Sequence, residues 1–440
     1  MRRLAFLTVF LAATTHLVFS ADIRTNVVWA GDHRVTETLT VHHSGSLTIR
    51  PGVRVEVATN ASIYIEGYIR AEGTSARPIL FTRVGHQSGS GYWGKIRLDT
   101  TLAENRFRFC QFWYARGDID GGGTVVGNDG VVSTLAARFL MEDCSAYHFL
   151  GDFLNIWNGS VATVRRCSIP FGDNVGTRSV GEGVQCYYSD LEVDACTFGY
   201  REGRMDAIDL EGPNNQVWVH DSVFLGSNLD DGVDFDYCHG TVERCWFFNY
   251  IGTAPGWAGR CGGVTMNVGS RPTVRNNVFI NCRQGIIAKG ECRPNIANCT
   301  FVNCFSDVAA YEAGEASPYQ VGHPVVRNCI MWGTTSQTLV LGNDSGGVRK
   351  STADIDYCDV YSLATLYRGD PRVTYGPHLF RSDPKFARLV GPLGFVPYQI
   401  SPMGYDLRLR DGSPCIGHGQ YGADIGAFPA FAAVLNWRLY

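Results

Sequence analysis

Three carboxylates, Asp206, Asp209 and Glu211, recur 25 positions later as Asp231, Asp234 and Asp236. Acids repeated at fixed offsets acquire chemical meaning when a stacked fold sets the copies side by side. Two carboxylates about 5 Å apart repel by roughly 3 kcal/mol at an effective dielectric of 20. A bound cation, a proton on one member of each pair, or a nearby guanidinium can relieve that repulsion. Calcium suits oxygen ligands from Asp206, Asp209, Asp231 and Asp234, while Arg201, Arg204 and Arg260 lie on adjoining loops. Each remedy is also a catalytic resource. A shared proton supplies the acid and base of glycoside hydrolysis, whereas calcium with arginine suits β-elimination from an acidic sugar. The four aspartates are therefore the candidate acids, bases or metal ligands. The plain alternative is a solvated or hydrogen-bonded acid ladder without chemistry.

The elements that must hold these residues follow from a phrase recurring roughly every 28 residues: an apolar residue, two variable ones, a cysteine or its stand-in, and an aromatic or aliphatic two places later. Its key column runs Cys110, Cys144, Cys167, Cys196, Ser222, Cys245, Asn277, Cys299, Cys329, Cys358, at intervals of 22 to 34 residues. Such a period means a solenoid. The apolar runs are short, β-branched or aromatic, and separated by Gly, Asn and Asp, which favours strands over paired helices. The apolar residue three before the cysteine breaks the two-residue alternation, so a bend must lie between them if both face inward. Asn276, Asn298 and Asn328 occupy that bend, where tolerance of left-handed backbone is useful.

A second strand in each coil is aligned by its inward residues Leu154, Val184, Ile208, Val233, Val264 and Ile286. Alternation then predicts outward positions for Phe153, Asn155 and Trp157, and in the following coils for Gly183, Gln185 and Tyr187, then Ala207, Asp209 and Glu211. The next rows are Gly232, Asp234 and Asp236, then Gly263, Thr265 and Asn267, then Gly285, Ile287 and Lys289. A column at the preceding turn reads Asp152, Glu182, Asp206, Asp231, Gly262, Gln284. A long shallow strip with acids at its centre fits a polysaccharide chain. Trp157 and Tyr187 can stack on sugar rings, and Lys289 can meet an acidic substituent. Glu211, Asp236 and Asn267 extend the strip, with Arg204 and Arg260 bordering it. His220 reads as a surface histidine beside a core strand.

The repeat resembles that of the right-handed parallel β-helix proteins of the pectate-lyase-like superfamily, in their secreted bacterial form, over about residues 40 to 365. The resemblance implies an all-β right-handed parallel β-helix of about ten or more coils with an N-terminal cap and an irregular C-terminal tail. It further implies a secreted protein acting on a polysaccharide as hydrolase or lyase. That scaffold also carries epimerases, phage tailspikes and inert surface proteins, so a non-catalytic glycan-binding or structural surface or matrix protein is the alternative. MDAIDLEG followed by LDDGVDF further resembles the Asn-Thr-Asp and Asp-Asp blocks of polygalacturonase-type hydrolases, with Asp206, Asp230 and Asp231 as the matching acids. Arg204 and Met205 replace that family's Asn and Thr, Cys261-Gly262-Gly263 replaces its Gly-His-Gly, and its later Arg-Ile-Lys block is missing.

Composition agrees, since 440 residues at 45% hydrophobic can bury a long core and 51 glycines can supply turns. A net charge of -4 and a pI near 6.3 argue against a nucleic-acid partner. Residues 1–20 pair two arginines with a short apolar core and read as a secretory signal, which implies secretion or display at the cell surface. The expected layout continues with a cap and first coils over 21–73, the β-helix over 74–365 and a tail over 366–440, with no transmembrane segment. Of the fifteen cysteines, those in the key column read as buried stacked thiols packing as small hydrophobes, as do Cys282 and Cys304. Cys238, Cys261 and Cys292 fall in turns, where the reading leaves a disulfide open.

Overall fold

The computed structural model describes residues 17–18, 22–85, 91–101, 103–117, 130–170, 172, 181–203, 205–213, 216–253, 261–311, 321–342, 350–361 and 372–428. The expected signal lies almost wholly outside the described residues, as do Arg204 and Arg260. As far as Ala353–Asp356, strands enter three parallel sheets in rotation, so every third strand returns beside its predecessor one coil earlier; Val373–Tyr375 then pairs with Ala353–Asp356 in the same sheet. The first sheet has 13 strands, from Leu17–Val18 to Ile330–Trp332. The second also has 13, from Asp22–Ile23 to Gln337–Leu341, and the third has 14, from Asn26–Trp29 to Val373–Tyr375. No α-helix occurs among the described residues, and none of their helices is long and apolar enough to cross a membrane.

The expected bend joins the third sheet to the first. Phe109, Asp143, Arg166, Ala195, Asp221, Arg244, Asn276, Asn298, Asn328 and Tyr357 all take φ between 47° and 56° there. Asparagine is thus helpful but not required. The bend removes the next residue's N–H from the ladder, and the neighbouring coil repairs the loss through its key-column side chain. Cys110 N–H donates to Cys144 Sγ at 3.3 Å, Cys196 N–H to Ser222 Oγ at 3.0 Å, and Cys245 N–H to Asn277 Oδ1 at 2.8 Å. The thiols are therefore acceptors as well as small packing groups, which corrects the reading of them as hydrophobes alone and explains why Ser and Asn can replace them. All fifteen cysteines are free and buried, including Cys238, Cys261 and Cys292, so no disulfide forms. Two residues beyond the column, Phe198, Phe224, Phe247, Phe279 and Phe301 stack with ring centroids 4.6–5.0 Å apart, the spacing of the coils themselves.

The outer face of the third sheet carries a charged column in register: Glu72, Arg108, Glu142, Arg165, Asp194, His220, Glu243, Arg275. Sign alternates at each step. His220 is not a surface histidine; it is buried, with Nδ1 2.7 Å from Asp221 and 3.5 Å from Asp194, and Nε2 3.5 Å from Glu192. Burial lowers its pKa, but these carboxylates outweigh burial and raise it overall.

The C-terminal tail lies on the outer face of the first sheet. Trp246, Phe248, Val278, Ile280, Val302 and Ile330 form a second apolar cluster with tail residues that include Phe386, Leu407, Leu409 and Ile425. Asn249, Asn281 and Asn303, one per coil and each at φ near 55°, fasten it. Each amide both donates to and accepts from the tail backbone: Asn249 with Ile400, Asn281 with Tyr398 and Val396, Asn303 with Pro392 and Gly394, all at 2.8–3.0 Å.

Candidate functional site

The acidic strip lies on the second sheet, on strands Leu154–Trp157, Val184–Tyr187, Ile208–Glu211, Val233–Asp236, Gly262–Asn267 and Gln284–Ala288. Their registers pair Asn155, Gln185, Asp209, Asp234, Thr265 and Ile287 in one column and Trp157, Tyr187, Glu211, Asp236 and Asn267 in the next. Lys289 continues the second column, its N–H donating to Met266 O at 2.9 Å. The structure therefore aligns the strip as the inward apolar residues predict. Its edges differ. Phe153, Ala207 and Gly232, expected outside, are buried because each lies one residue before its strand begins, whereas Gly263 and Gly285 lie within their strands and are buried against the Phe279 and Phe301 rings. The glycines form a floor: a Cβ on Gly183 would strike the Arg201 guanidinium, and one on Gly263 would sit 2.6 Å from the Phe279 ring. Asn155, Thr265 and Ile287 are buried as well, with Asn155 Nδ2 donating to Asp152 Oδ2 at 3.1 Å and Gln185 Oε1 at 2.8 Å.

The turn column has a structural duty that the sequence pattern does not disclose. Asp152 Oδ1 accepts from Glu182 N–H at 2.7 Å, Asp206 Oδ1 from Asp231 N–H at 2.8 Å, and Asp231 Oδ1 from Gly262 N–H at 2.6 Å. Each carboxylate thus caps the backbone of the following coil where the ladder lapses. Asp152 uses its second oxygen as well, accepting from Asn155 Nδ2. Asp206, Asp230 and Asp231 each bring an oxygen within 4.8 Å of the others. Asp234 Oδ1, Asp236 Oδ1 and Glu182 Oε2 are buried and accept no hydrogen bond.

Electrostatics follow from this crowding. Burial, then Asp230 and Glu182, push the Asp206 pKa well up; burial, then Asp234 and Glu211, do the same to Asp209. Asp231 is raised by burial and by Asp234, and Asp234 by burial. Asp236 reaches about 7 through burial and Asp234. Lys289 answers this field: burial lowers its pKa, but Asp234, Asp231, Asp236 and Asp206 outweigh burial and raise it. Arg201, expected on an adjoining loop, is wholly buried beneath the strip; its Nη1 donates to Gly181 O at 3.2 Å while Nε and Nη2 find no acceptor. Trp157 and Tyr187 stand at the far end, ring centroids 4.6 Å apart.

The donor set fits a hard divalent cation such as calcium. It is all oxygen, carries excess negative charge and includes buried acceptors with nothing to accept. The other cluster with metal-like spacing, Asp194, His220 and Asp221, does not fit, because the Arg244 fork already holds Asp221 at 2.7 and 2.9 Å.

Residues 206–364 match the family model described as a right handed beta helix region. With the three sheets in rotation, that decides the architecture. The chain is a right-handed parallel β-helix. This β-helix is similar to solved structures that include pectate lyase Pel9A, at 14% identity over 88% of each chain with a TM-score of 0.41. It is also similar to the PL6 family polysaccharide lyase Pedsa3628 from Pseudopedobacter saltans, at 12% identity over 83% of this chain and 99% of that one, TM-score 0.39. Alginate lyase AlyF-OU02 in complex with G6 matches at 10% identity over 88% and 87%, TM-score 0.44. No curated protein matches the β-helix sequence.

Proposed function

We propose that this β-helix acts outside the cytoplasm on an acidic polysaccharide and cleaves it by cation-assisted β-elimination at the second-sheet strip. The observation that carries the proposal is the gathering of Asp206, Asp230 and Asp231 within 4.8 Å, beside Asp234 and in the field of Lys289. Carboxylates this crowded and this buried need a counter-charge, and the neighbouring cations, Arg201 and Lys289, are outnumbered. Asp206, Asp230, Asp231 and Asp234 would hold a divalent cation, with Asp209 the next acid in the strip. When bound, such an ion supplies charge neutralisation for a sugar carboxylate and for the negative charge that develops beside it.

The chain's own groups do the rest. Lys289 takes the proton from the carbon next to the sugar carboxylate. Its pKa is raised by the aspartates and lowered by burial, so neutralising the aspartates leaves burial in control and favours the uncharged amine. Trp157, Tyr187, Glu211, Asp236 and Asn267 bind and orient the polymer along the strip. Arg204 and Arg260 remain candidates for contact with the substrate's acidic groups.

A second reading has its own observation: Asp152, Asp206 and Asp231 already cap backbone N–H groups, as an idle structural ladder would. The double substitution Asp209→Asn, Asp234→Asn separates the two, because it spares those caps. An enzyme loses turnover and keeps its fold, whereas an idle ladder gains stability and loses nothing else. The assay is product formation on acidic and neutral polysaccharides, with calcium and with chelator, scored by reducing ends and by absorbance of unsaturated ends. Unsaturated ends support elimination; reducing ends alone move the reading to hydrolysis; no product on any glycan overturns it.

A further inference from the structure

The column that holds Glu211 and Asp236 ends in a cluster of aromatic rings larger than Trp157 and Tyr187. Where the second sheet turns out of each coil, the chain adopts left-handed backbone at Ala136, Asn158, Tyr188, Tyr237 and Val268, and at Gly212. Asparagine and glycine suit that conformation; a tyrosine does so at a cost. Tyr188 and Tyr237 nevertheless occupy it, 42% and 58% exposed. Tyr188 stands edge-on to Tyr187 with centroids 4.3 Å apart, and Tyr187 in turn meets Trp157 at 4.6 Å. Gly212 leaves the room Tyr188 needs, since a Cβ there would touch its ring at 3.0 Å. Two large rings thus stay exposed at positions where the backbone resists them.

The groups beside the rings define a ligand. Tyr187 is in register with Glu211, Glu211 with Asp236, and Asp236 with Asn267. These carboxylates are acceptors, and Asp236 Oδ1 has no donor. A pyranose offers an apolar C–H face to a ring and a rim of hydroxyl donors to acceptors beside it. A carboxylate-bearing edge would be repelled here and belongs instead toward the cation-holding aspartates and Lys289, the latter four coil steps from Tyr187. At about 4.8 Å per coil that separation is roughly 19 Å.

The geometry points to a sugar-stacking subsite, formed by Trp157, Tyr187 and Tyr188 and continued two coil steps further on by Tyr237, that takes the hydroxyl face of a residue in the same polymer whose acidic group is held toward Lys289. It rests on the proposed action on an acidic polysaccharide and adds direction: the polymer runs along the helix axis, and a fragment must span both ends to gain full affinity.

The test is calorimetric binding of oligogalacturonides and oligoalginates, from dimer to octamer, to the full chain and to Tyr188→Asn, which removes the ring and suits the backbone. Tyr237→Asn serves as an independent second variant, and thermal unfolding checks that both stay folded. The full chain should gain affinity with length until both ends are engaged, and each variant should lose roughly tenfold for long oligomers and nothing for dimers. Equal losses at every length, or none, overturn the subsite. Binding with that length dependence but without product sinks the elimination reading and leaves the subsite standing. Absence of binding to any oligomer overturns both.

Discussion

The outer faces of the second and third sheets solve the same electrostatic problem in opposite ways. Both stack equivalent residues one coil apart, in register, on parallel strands. On the third sheet the sign alternates from Glu72 to Arg275, and the acids come to rest. Burial raises the Glu243 pKa, but Arg275 at 2.6 Å and Arg244 at 2.7 Å outweigh it and lower it overall. On the second sheet Asp209 meets Asp234 and Glu211 meets Asp236, and Asp236 is driven to about 7. A chain that can alternate charge over eight consecutive positions is not obliged to stack acids. The second-sheet face is therefore the one that the proposed reading supplies with a cation and a substrate.

The comparison can be broken at either face. Lys289→Gln has the largest expected effect: turnover on the cleaved polysaccharide should fall by about a hundredfold to ten-thousandfold. Unchanged turnover would reduce Lys289 to a passive counter-charge. Glu243→Gln should cost about 3 kcal/mol in denaturant unfolding, because Arg244 and Arg275 lose the carboxylate they enclose. A loss near zero would show that the alternating face is ornamental. Calcium at a hundredfold excess over its dissociation constant should stabilise the chain by about 2.7 kcal/mol. Asp231→Asn should abolish most of that shift in thermal unfolding. Asp234→Asn, without calcium, should raise stability by about 1–2 kcal/mol as repulsion is relieved. A loss of stability would mean that the strip is already balanced.

The smallest effect, and the sharpest in sign, is on pH. Asp206, Asp209, Asp231, Asp234 and Asp236 have folded pKa values above their unfolded ones, so their contribution is fully present below about pH 4 and is lost as pH rises through about 7 for Asp236. Burial raises Asp221, but His220 and Arg244 outweigh it and hold it at about 2, so its contribution is present above about pH 4 and lost as pH falls through 2. His220, raised overall, contributes fully below about pH 6.5 and loses that contribution as pH climbs through its folded value. Unfolding measured across pH should therefore show a decline toward neutrality that calcium removes in the strip's share and leaves in the share of His220. A decline indifferent to both calcium and His220→Asn would contradict both assignments.

The sequence disclosed the coils because one column had to satisfy the same bend in every turn. Ser222 and Asn277 were the clue to its chemistry: they share with cysteine a side-chain acceptor rather than hydrophobicity. The registers of Asp209 with Asp234 and Glu211 with Asp236 were equally legible, since inward apolar residues fix which neighbours pair. Residues before the strands were not, because alternation says nothing about Phe153 or Gly232 while the chain is still turning. Asp230 entered the reading only through the doubled acid of LDDG and its resemblance to an Asp-Asp block, because it sits one residue off the turn column and loop geometry alone brings its carboxylate to Asp206 and Asp231. His220 was misjudged because one position shows neither the carboxylates of the preceding coil nor Asp221 turned back upon it.

The three asparagines that hold the tail make the solenoid a counted object. Residues 392–400 cross successive coils in order, with Asn303 gripping Pro392 and Gly394, Asn281 gripping Val396 and Tyr398, and Asn249 gripping Ile400. A solenoid can lengthen by duplicating a coil without upsetting its neighbours. Here an extra coil between Asn249 and Asn303 would slide the clasps out of phase with the strap. Growth by duplication is thus permitted toward the N-terminal coils and resisted beneath the tail, so the tail acts as a ruler for the part of the helix it covers.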